Sequence, residues 1–142
     1  MSHTRQIYCC GCASMVEARL TNGKEIYAHR PDLWGKPFWL CDSCGGYVGC
    51  HNNHPKKSKR FNPIGTIPTP QIRQLRNQIH NLLDPLWQQH IFSRHSIYKK
   101  LAVVVGKTYH TAELSSVNDC HKIINYLVDL RQWAVKNRGF KA

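Results

Sequence analysis

The sequence predicts an α+β protein, a small β-hairpin unit with two cysteine turns followed by a three-helix unit. Three observations carry this. Cys9-Cys10-Gly11-Cys12 and Cys41-Asp42-Ser43-Cys44 each hold a Cys-x2-Cys pair, with 28 residues between the pairs. Apolar residues alternate with polar ones in the first third of the chain, and from Gln71 they recur at helical spacing instead. Between the two patterns lies a basic stretch punctuated by Pro55, Pro63, Pro68 and Pro70, where neither period holds. The implied organisation is a ribbon over residues 1–54, a basic, proline-containing linker over 55–70 and a helical unit over 71–142.

The cysteine spacing points to a metal. Two cysteines three apart fit one tight turn, so both sulfurs face one ion, and two such turns complete a tetrahedron. Cys9, Cys12, Cys41 and Cys44 are therefore the candidate ligands of one structural Zn2+. Four protein ligands leave no open position for water, so such an ion stabilises and does not catalyse. The first sixty residues are poor in aliphatic side chains, and metal binding would supply folding free energy that packing cannot. Cys10 sits between two ligands and is expected to point outward, or to replace Cys9 in another register. Seven cysteines is an odd count, the N-terminus is polar, and no apolar run approaches membrane-spanning length. Thiolate chemistry in a reducing cytoplasm is expected rather than disulfides, with no membrane partner.

Within the ribbon, Val16, Ala18 and Leu20 alternate with polar residues, and Thr21-Asn22-Gly23-Lys24 offers an Asn-Gly turn. The expected hairpin runs over 15–30, with Ile26, Tyr27 and Ala28 on the returning strand. Phe38, Trp39 and Leu40 lead into the second cysteine turn, and Tyr47 and Val48 leave it. Pro31, Gly35 and Pro37 mark a loop in which Trp34 is an apolar anchor, expected to cap the core beside the metal. Cys50, His51 and His54 could form part of a second metal site. They could equally be packing and hydrogen-bonding residues behind the first one, with His51 donating to a sulfur.

Thr69 and Pro70 suit the start of a first helix, whose apolar face is Ile72, Leu75, Ile79, Leu82 and Leu83. Asp84-Pro85 is expected to end or kink it. Ser93 is a candidate cap for a second helix with Ile97, Leu101 and Ala102 inward and Gly106 as its stop. Ser115 or Ser116 caps a third, with Cys120, Ile123, Ile124, Leu127, Val128 and Ala134 in its stripe. Cys120 there is a small buried hydrophobe.

Twenty Lys and Arg against eight Asp and Glu give a net charge of +12, and four thiolates on one dication would leave +10. A field of that sign favours polyanions, most obviously nucleic acid. Lys56, Lys57, Lys59 and Arg60 form a compact run suited to phosphate contacts, with Arg73 and Arg76 as further candidates and Trp34 or Tyr47 as stacking surfaces for an unpaired base. No paired carboxylates, phosphate-binding glycine loop, nucleophile elbow or deaminase motif is present, and no small-molecule substrate is evident. His51-Asn52-Asn53-His54 is too short for the catalytic unit of a His-Asn-His nuclease and lacks nearby carboxylates for a hydrolytic metal. The segment 97–106 has the pattern of a helix-turn-helix first helix, but about ten residues separate it from the next helix, too many for that motif's tight turn.

Asp32-Leu33, the run Phe38 to His51 (with Trp39, Cys41, Cys44, Gly45, Tyr47, Val48, Gly49 and Cys50), Pro63-Ile64-Gly65-Thr66, Leu83-Asp84-Pro85-Leu86-Trp87 and Leu101-Ala102 follow one another in order. This series resembles a family of uncharacterised bacterial and prophage zinc-finger-containing proteins. That family typically reads Cys-x2-Cys, then Trp-x-Cys-x2-Cys-Gly-Ala-Tyr-Val-Gly-Cys-His. Gly46 stands where alanine is usual, and the run Lys56 to Arg60 looks like an insertion. The resemblance implies an N-terminal zinc finger, a helical C-terminal part and a bacterial or phage source, and it implies no activity. Cys50 and His51 match its signature.

The expected function is a zinc-stabilised, non-enzymatic accessory protein that binds nucleic acid of unspecified type. The alternatives are a protein-binding adaptor, such as a phage product engaging a host complex, or a metal-dependent nuclease.

Overall fold

A computed structural model describes residues 3–142; Met1 and Ser2, part of the expected ribbon, lie outside it. The chain divides into two compact units, Met1–Pro70 and Gln71–Ala142.

The first unit is a four-stranded antiparallel meander in the order β1-β2-β3-β4. The strands are β1 (Thr4–Cys9), β2 (Ser14–Asn22), β3 (Pro37–Leu40) and β4 (Tyr47–Gly49). Alternation decides which face is buried, because successive side chains on a strand point to opposite sides. Ile7 and Cys9 of β1, Ala18 of β2, Trp39 of β3 and Val48 of β4 all fall on the inner face, joined by Cys41, Cys50 and Ile67. Three of these eight core residues are cysteines, so aliphatic packing here is thin.

Two expectations are corrected here. The Asn22-Gly23 pair does not turn a hairpin. Asn22 is the N-cap of a one-turn helix, α1 (Gly23–Ile26), its side chain accepting from the Lys24 N–H at 3.0 Å. The partner that β2 takes on this side is β3, pairing Arg19 with Leu40 and Asn22 with Pro37. The tight hairpin of the unit is β1–β2, whose pairing runs from Thr4–Arg19 to Cys9–Ser14 across the first cysteine turn. Ala13 closes that turn in the left-handed region, at φ 53°.

The second correction concerns residues 55–70, which are not a free linker. A 3-10 turn (Lys57–Lys59) is followed by chain that returns to the sheet. The Trp39 indole donates to the Phe61 carbonyl at 2.7 Å, Cys50 bridges Pro63, and Ile67 bridges Cys9 with its side chain fully buried. Hydrogen bonds from Ile67 N to Tyr8 O (2.9 Å) and from Cys10 N to Ile67 O (2.8 Å) extend the sheet beyond β1.

The second unit contains α2 (Pro70–Gln88), α3 (Arg94–Val105) and α4 (Val117–Arg138). Ser93 caps α3 by accepting from the Ser96 N–H, and Ser116 caps α4 by accepting from the Asp119 N–H. Gly106 and Gly139 end these two helices in the left-handed conformation that glycine adopts without a Cβ clash. Leu75, Ile79, Leu83 and Leu86 meet Ile97, Leu101, Ile123, Ile124 and Leu127 in one core, with Cys120 fully buried in it. Val128, expected in the apolar stripe of α4, is exposed.

Pro85 does not end its helix; α2 continues to Gln88. Proline lacks one donor, and so near the C-terminus the helix forfeits one hydrogen bond. Full burial of Leu86 just beyond it, and a hydrogen bond from the Trp87 indole to Asp84 (3.2 Å), favour continuing.

Candidate metal centre

The meander brings the two cysteine turns to one end of the sheet. β1 runs up into Cys9, β2 leaves from Ser14, β3 runs up into Leu40, and β4 leaves from Tyr47. Antiparallel pairing therefore places the β1–β2 and β3–β4 connections side by side, while the longer β2–β3 connection lies at the opposite end.

The thiols of Cys9, Cys12, Cys41 and Cys44 all lie within 4.8 Å of one another. Cys9 Sγ is 3.4 Å from Cys44 Sγ, and Cys12 Sγ is 3.7 Å from Cys41 Sγ. Four sulfurs about 2.3 Å from one tetrahedral ion stand about 3.8 Å apart, so the cluster has the size of a four-thiolate site. All seven cysteines are free thiols.

Backbone geometry supports the sulfurs. Gly46 N–H donates to Cys44 Sγ at 3.4 Å. The Cys41 thiol, although burial opposes ionisation, is held below its ordinary value by the Cys44 and Ser43 N–H groups that face it. Burial pushes the Cys9 thiol up, and hydrogen bonding to Cys41 together with burial pushes Cys12 up to about 12. A dication among them would reverse that balance, since the ligand form is the thiolate. Space is tight as well. A Cβ on Gly11 would lie 3.2 Å from Cys44 Sγ, and one on Gly46 would lie 3.0 Å from Ile67 Cγ2. Gly46 thus makes room for Ile67 beside the cluster.

Arg19 braces the second cysteine turn from β2. Its guanidinium donates to both oxygens of Asp42 at 2.9 and 3.0 Å and to Glu25 of α1 at 3.0 and 3.2 Å. The same contacts hold the Asp42 and Glu25 carboxyls below the usual range. Sequence reading missed Arg19; only its place opposite Leu40, next to Cys41, could have signalled it.

A comparison with protein families matches residues 4–130 to DUF3268, a zinc-finger-containing domain. The chain belongs to this family. No curated protein and no solved structure matches it. The matched residues include the only group of three or more metal-ligating side chains found among the described residues, the four cysteines. Among those residues no helix is long and apolar enough to cross a membrane.

The other candidates are distributed differently. Cys10 lies outside the cluster, its thiol 3.8 Å from the Thr66 hydroxyl. Cys50 is buried in the ribbon core, and burial pushes its thiol up to about 11. His51 and His54 stack edge to face with ring centroids 6.3 Å apart, and neither joins the metal cluster. Trp34 is 38 % exposed and does not cap the core; its indole donates to the Ala28 carbonyl, and Lys24 lies over its ring. Tyr47 packs edge-on against Tyr27 and Phe38, its hydroxyl 2.5 Å from that of Tyr27.

Lys56, Lys57 and Lys59 are exposed and have no ion-pair partner among the described residues. Arg60 is partly buried and donates to the His54 carbonyl at 2.9 Å. Arg73 is half-buried on α2. Arg76 is a correction: only 8 % exposed, it donates through Nε and Nη2 to the Leu114 carbonyl at 3.1 and 2.8 Å. A guanidinium committed to an inward carbonyl is not presented to a phosphate.

Proposed function

We propose that the chain is a zinc-stabilised, non-enzymatic nucleic-acid-binding accessory protein of bacterial or phage origin, working in the cytoplasm. The all-sulfur donor set with four protein ligands favours Zn2+ in a structural role. Here the ion would be held by Cys9, Cys12, Cys41 and Cys44, fixing the two cysteine turns relative to each other.

The observation that carries the nucleic-acid reading is the exposed Lys56, Lys57 and Lys59 set, with Arg60, on a 3-10 turn fastened to the ribbon. Cations left without carboxylate partners, on a chain of net charge +12, are suited to phosphate. Tethering lowers the entropy lost when such an arm engages a backbone.

Fluorescence anisotropy of the zinc-loaded protein with single-stranded DNA, duplex DNA and RNA at two salt concentrations tests this. Tight, salt-sensitive binding to one class is expected. Neutralising Lys56, Lys57, Lys59 and Arg60 together should flatten the salt slope on duplex DNA, by about 0.9 for each phosphate that the arm no longer neutralises. An unchanged slope overturns the role of the arm. Weak binding to every probe at both salt concentrations overturns the function and directs attention to a protein partner.

A further inference from the structure

The ribbon unit carries a cleft of about 620 Å³ that the metal centre does not use. That volume lies within the range of small-ligand sites, about 300–1,000 Å³. Phe38 and Ile64 supply apolar wall, Asn52 and Asn53 supply amides, and Lys36 and His54 supply basic groups. No carboxylate lines it.

The aromatic wall is fixed in place. Phe38 is in β3, and Tyr27, also in the lining, packs on it at a centroid distance of 5.7 Å. The cleft is also continuous with the basic arm. His54 on its rim accepts at Nδ1 from the Lys56 N–H (3.0 Å), and its carbonyl accepts from Arg60.

We infer that this cleft holds one unpaired base of a single-stranded nucleic acid, whose flanking phosphates run along Lys56 to Arg60. The inference rests on the nucleic-acid function proposed above and narrows it to single strands. Three features of the lining favour this occupant. Aromatic faces stack on any base. Asparagine amides both donate and accept, as base edges do. A lining that holds Lys36 and no carboxylate, beside the basic arm, favours a polyanion. A base inside a duplex is covered by its neighbours and its partner and cannot enter, whereas an unpaired one can.

The test uses full-length, zinc-loaded protein and labelled probes of equal length: single-stranded DNA, single-stranded RNA, duplex DNA and an abasic strand that keeps the phosphates. Intact single strands are expected to bind about tenfold or more tighter than the abasic strand, the scale of one stacked base. The DNA and RNA arms decide which sugar is preferred. Two variants carry the decision: Asn52→Ala with Asn53→Ala, which strips the amides, and Ile64→Trp, which fills the cleft. Asn52 and Asn53 are exposed and Ile64 is 47 % exposed, so the ribbon keeps its core, with metal content as the control. Ile64→Trp should abolish the preference for intact over abasic strands, the asparagine variant should reduce it because the aromatic wall remains, and both should retain the salt slope.

Equal binding of intact and abasic strands, with the arm variant still weakening both, overturns the cleft and leaves the proposed function standing. A preference that neither cleft variant alters also overturns it, as does polyglutamate binding as tightly as single strands. Absence of salt-sensitive binding to any nucleic-acid probe overturns the cleft and the function together.

Discussion

Gly23 is pressed against the backbone of Leu33: a Cβ placed on it would lie 1.7 Å from the Leu33 carbonyl oxygen. Its own N–H donates to the Lys36 carbonyl at 2.9 Å, so the two ends of the β2–β3 connection are clasped at this residue. The obstacle is backbone and cannot rotate away. Gly23→Ala is therefore expected to destabilise the ribbon unit by about 3 kcal/mol, at the upper end for overpacking. Thermal unfolding of the zinc-loaded protein measures this, and a wild-type midpoint would refute the clasp.

The same residue shows why part of the fold was hidden in the sequence. Asn-Gly between apolar alternations is the strongest short-range hairpin signal. Here the glycine serves a close approach to a residue ten positions on, and asparagine serves as a helix cap, so local chemistry was legible and its tertiary use was not. β1 was missed for a related reason. Thr4, Arg5 and Gln6 are exposed, and only Ile7 and Cys9 mark the inner face, too few residues to display a period of two. The cysteine spacing, by contrast, reports ligand geometry directly, and the structure brings those four thiols together. The three helices were legible because each shows a 3.6-residue period, with serine caps at α3 and α4 and a glycine stop at α3; at α2 the stop expected at Pro85 does not form. Arg76 was misplaced because it borders an apolar stripe, where a guanidinium can be drawn inward by one carbonyl that the sequence does not locate.

Metal loading should be coupled to proton release. Without the ion, Cys9 and Cys12 are raised above the ordinary thiol range, Cys12 to about 12, and both carry protons at neutral pH. Binding a dication must expel them. Affinity is therefore expected to rise with pH and to fall on acidification as protons compete for sulfur. Calorimetric titration of metal-free protein in two buffers of different ionisation enthalpy measures the release. Identical heats in both buffers would contradict it. Chelation should then unfold the ribbon unit, whose core contains three cysteines.

Cys50 occupies an environment that suits a core residue. It is 7 % exposed, and burial raises its thiol to about 11. A raised pKa keeps the neutral form at every pH below that value, so nucleophilicity should appear only as pH approaches 11. In zinc-loaded protein at neutral pH, iodoacetamide is expected to spare Cys50 and to modify the half-buried Cys10 first. Peptide mass mapping after timed alkylation reads the order, and early labelling of Cys50 would mean that the ribbon opens there.

Arg76 separates stability from binding among the basic residues. Its two hydrogen bonds to the Leu114 carbonyl fasten the segment before α4 onto α2. Hydrogen bonds from a charged donor contribute about 1.5–3 kcal/mol, and truncation also leaves a carbonyl unsatisfied. Arg76→Ala should lower the stability of the helical unit by about 2–3 kcal/mol, with the salt dependence of nucleic-acid binding unchanged below the unfolding midpoint. Neutralising Lys56, Lys57 and Lys59, with Arg60 kept because it bonds the His54 carbonyl, should do the reverse, flattening the salt slope with little effect on stability, because exposed unpaired cations contribute little to folding. If Arg76→Ala instead flattened the slope in folded protein, the buried guanidinium would have to turn outward on binding, and the helical unit would belong to the interface.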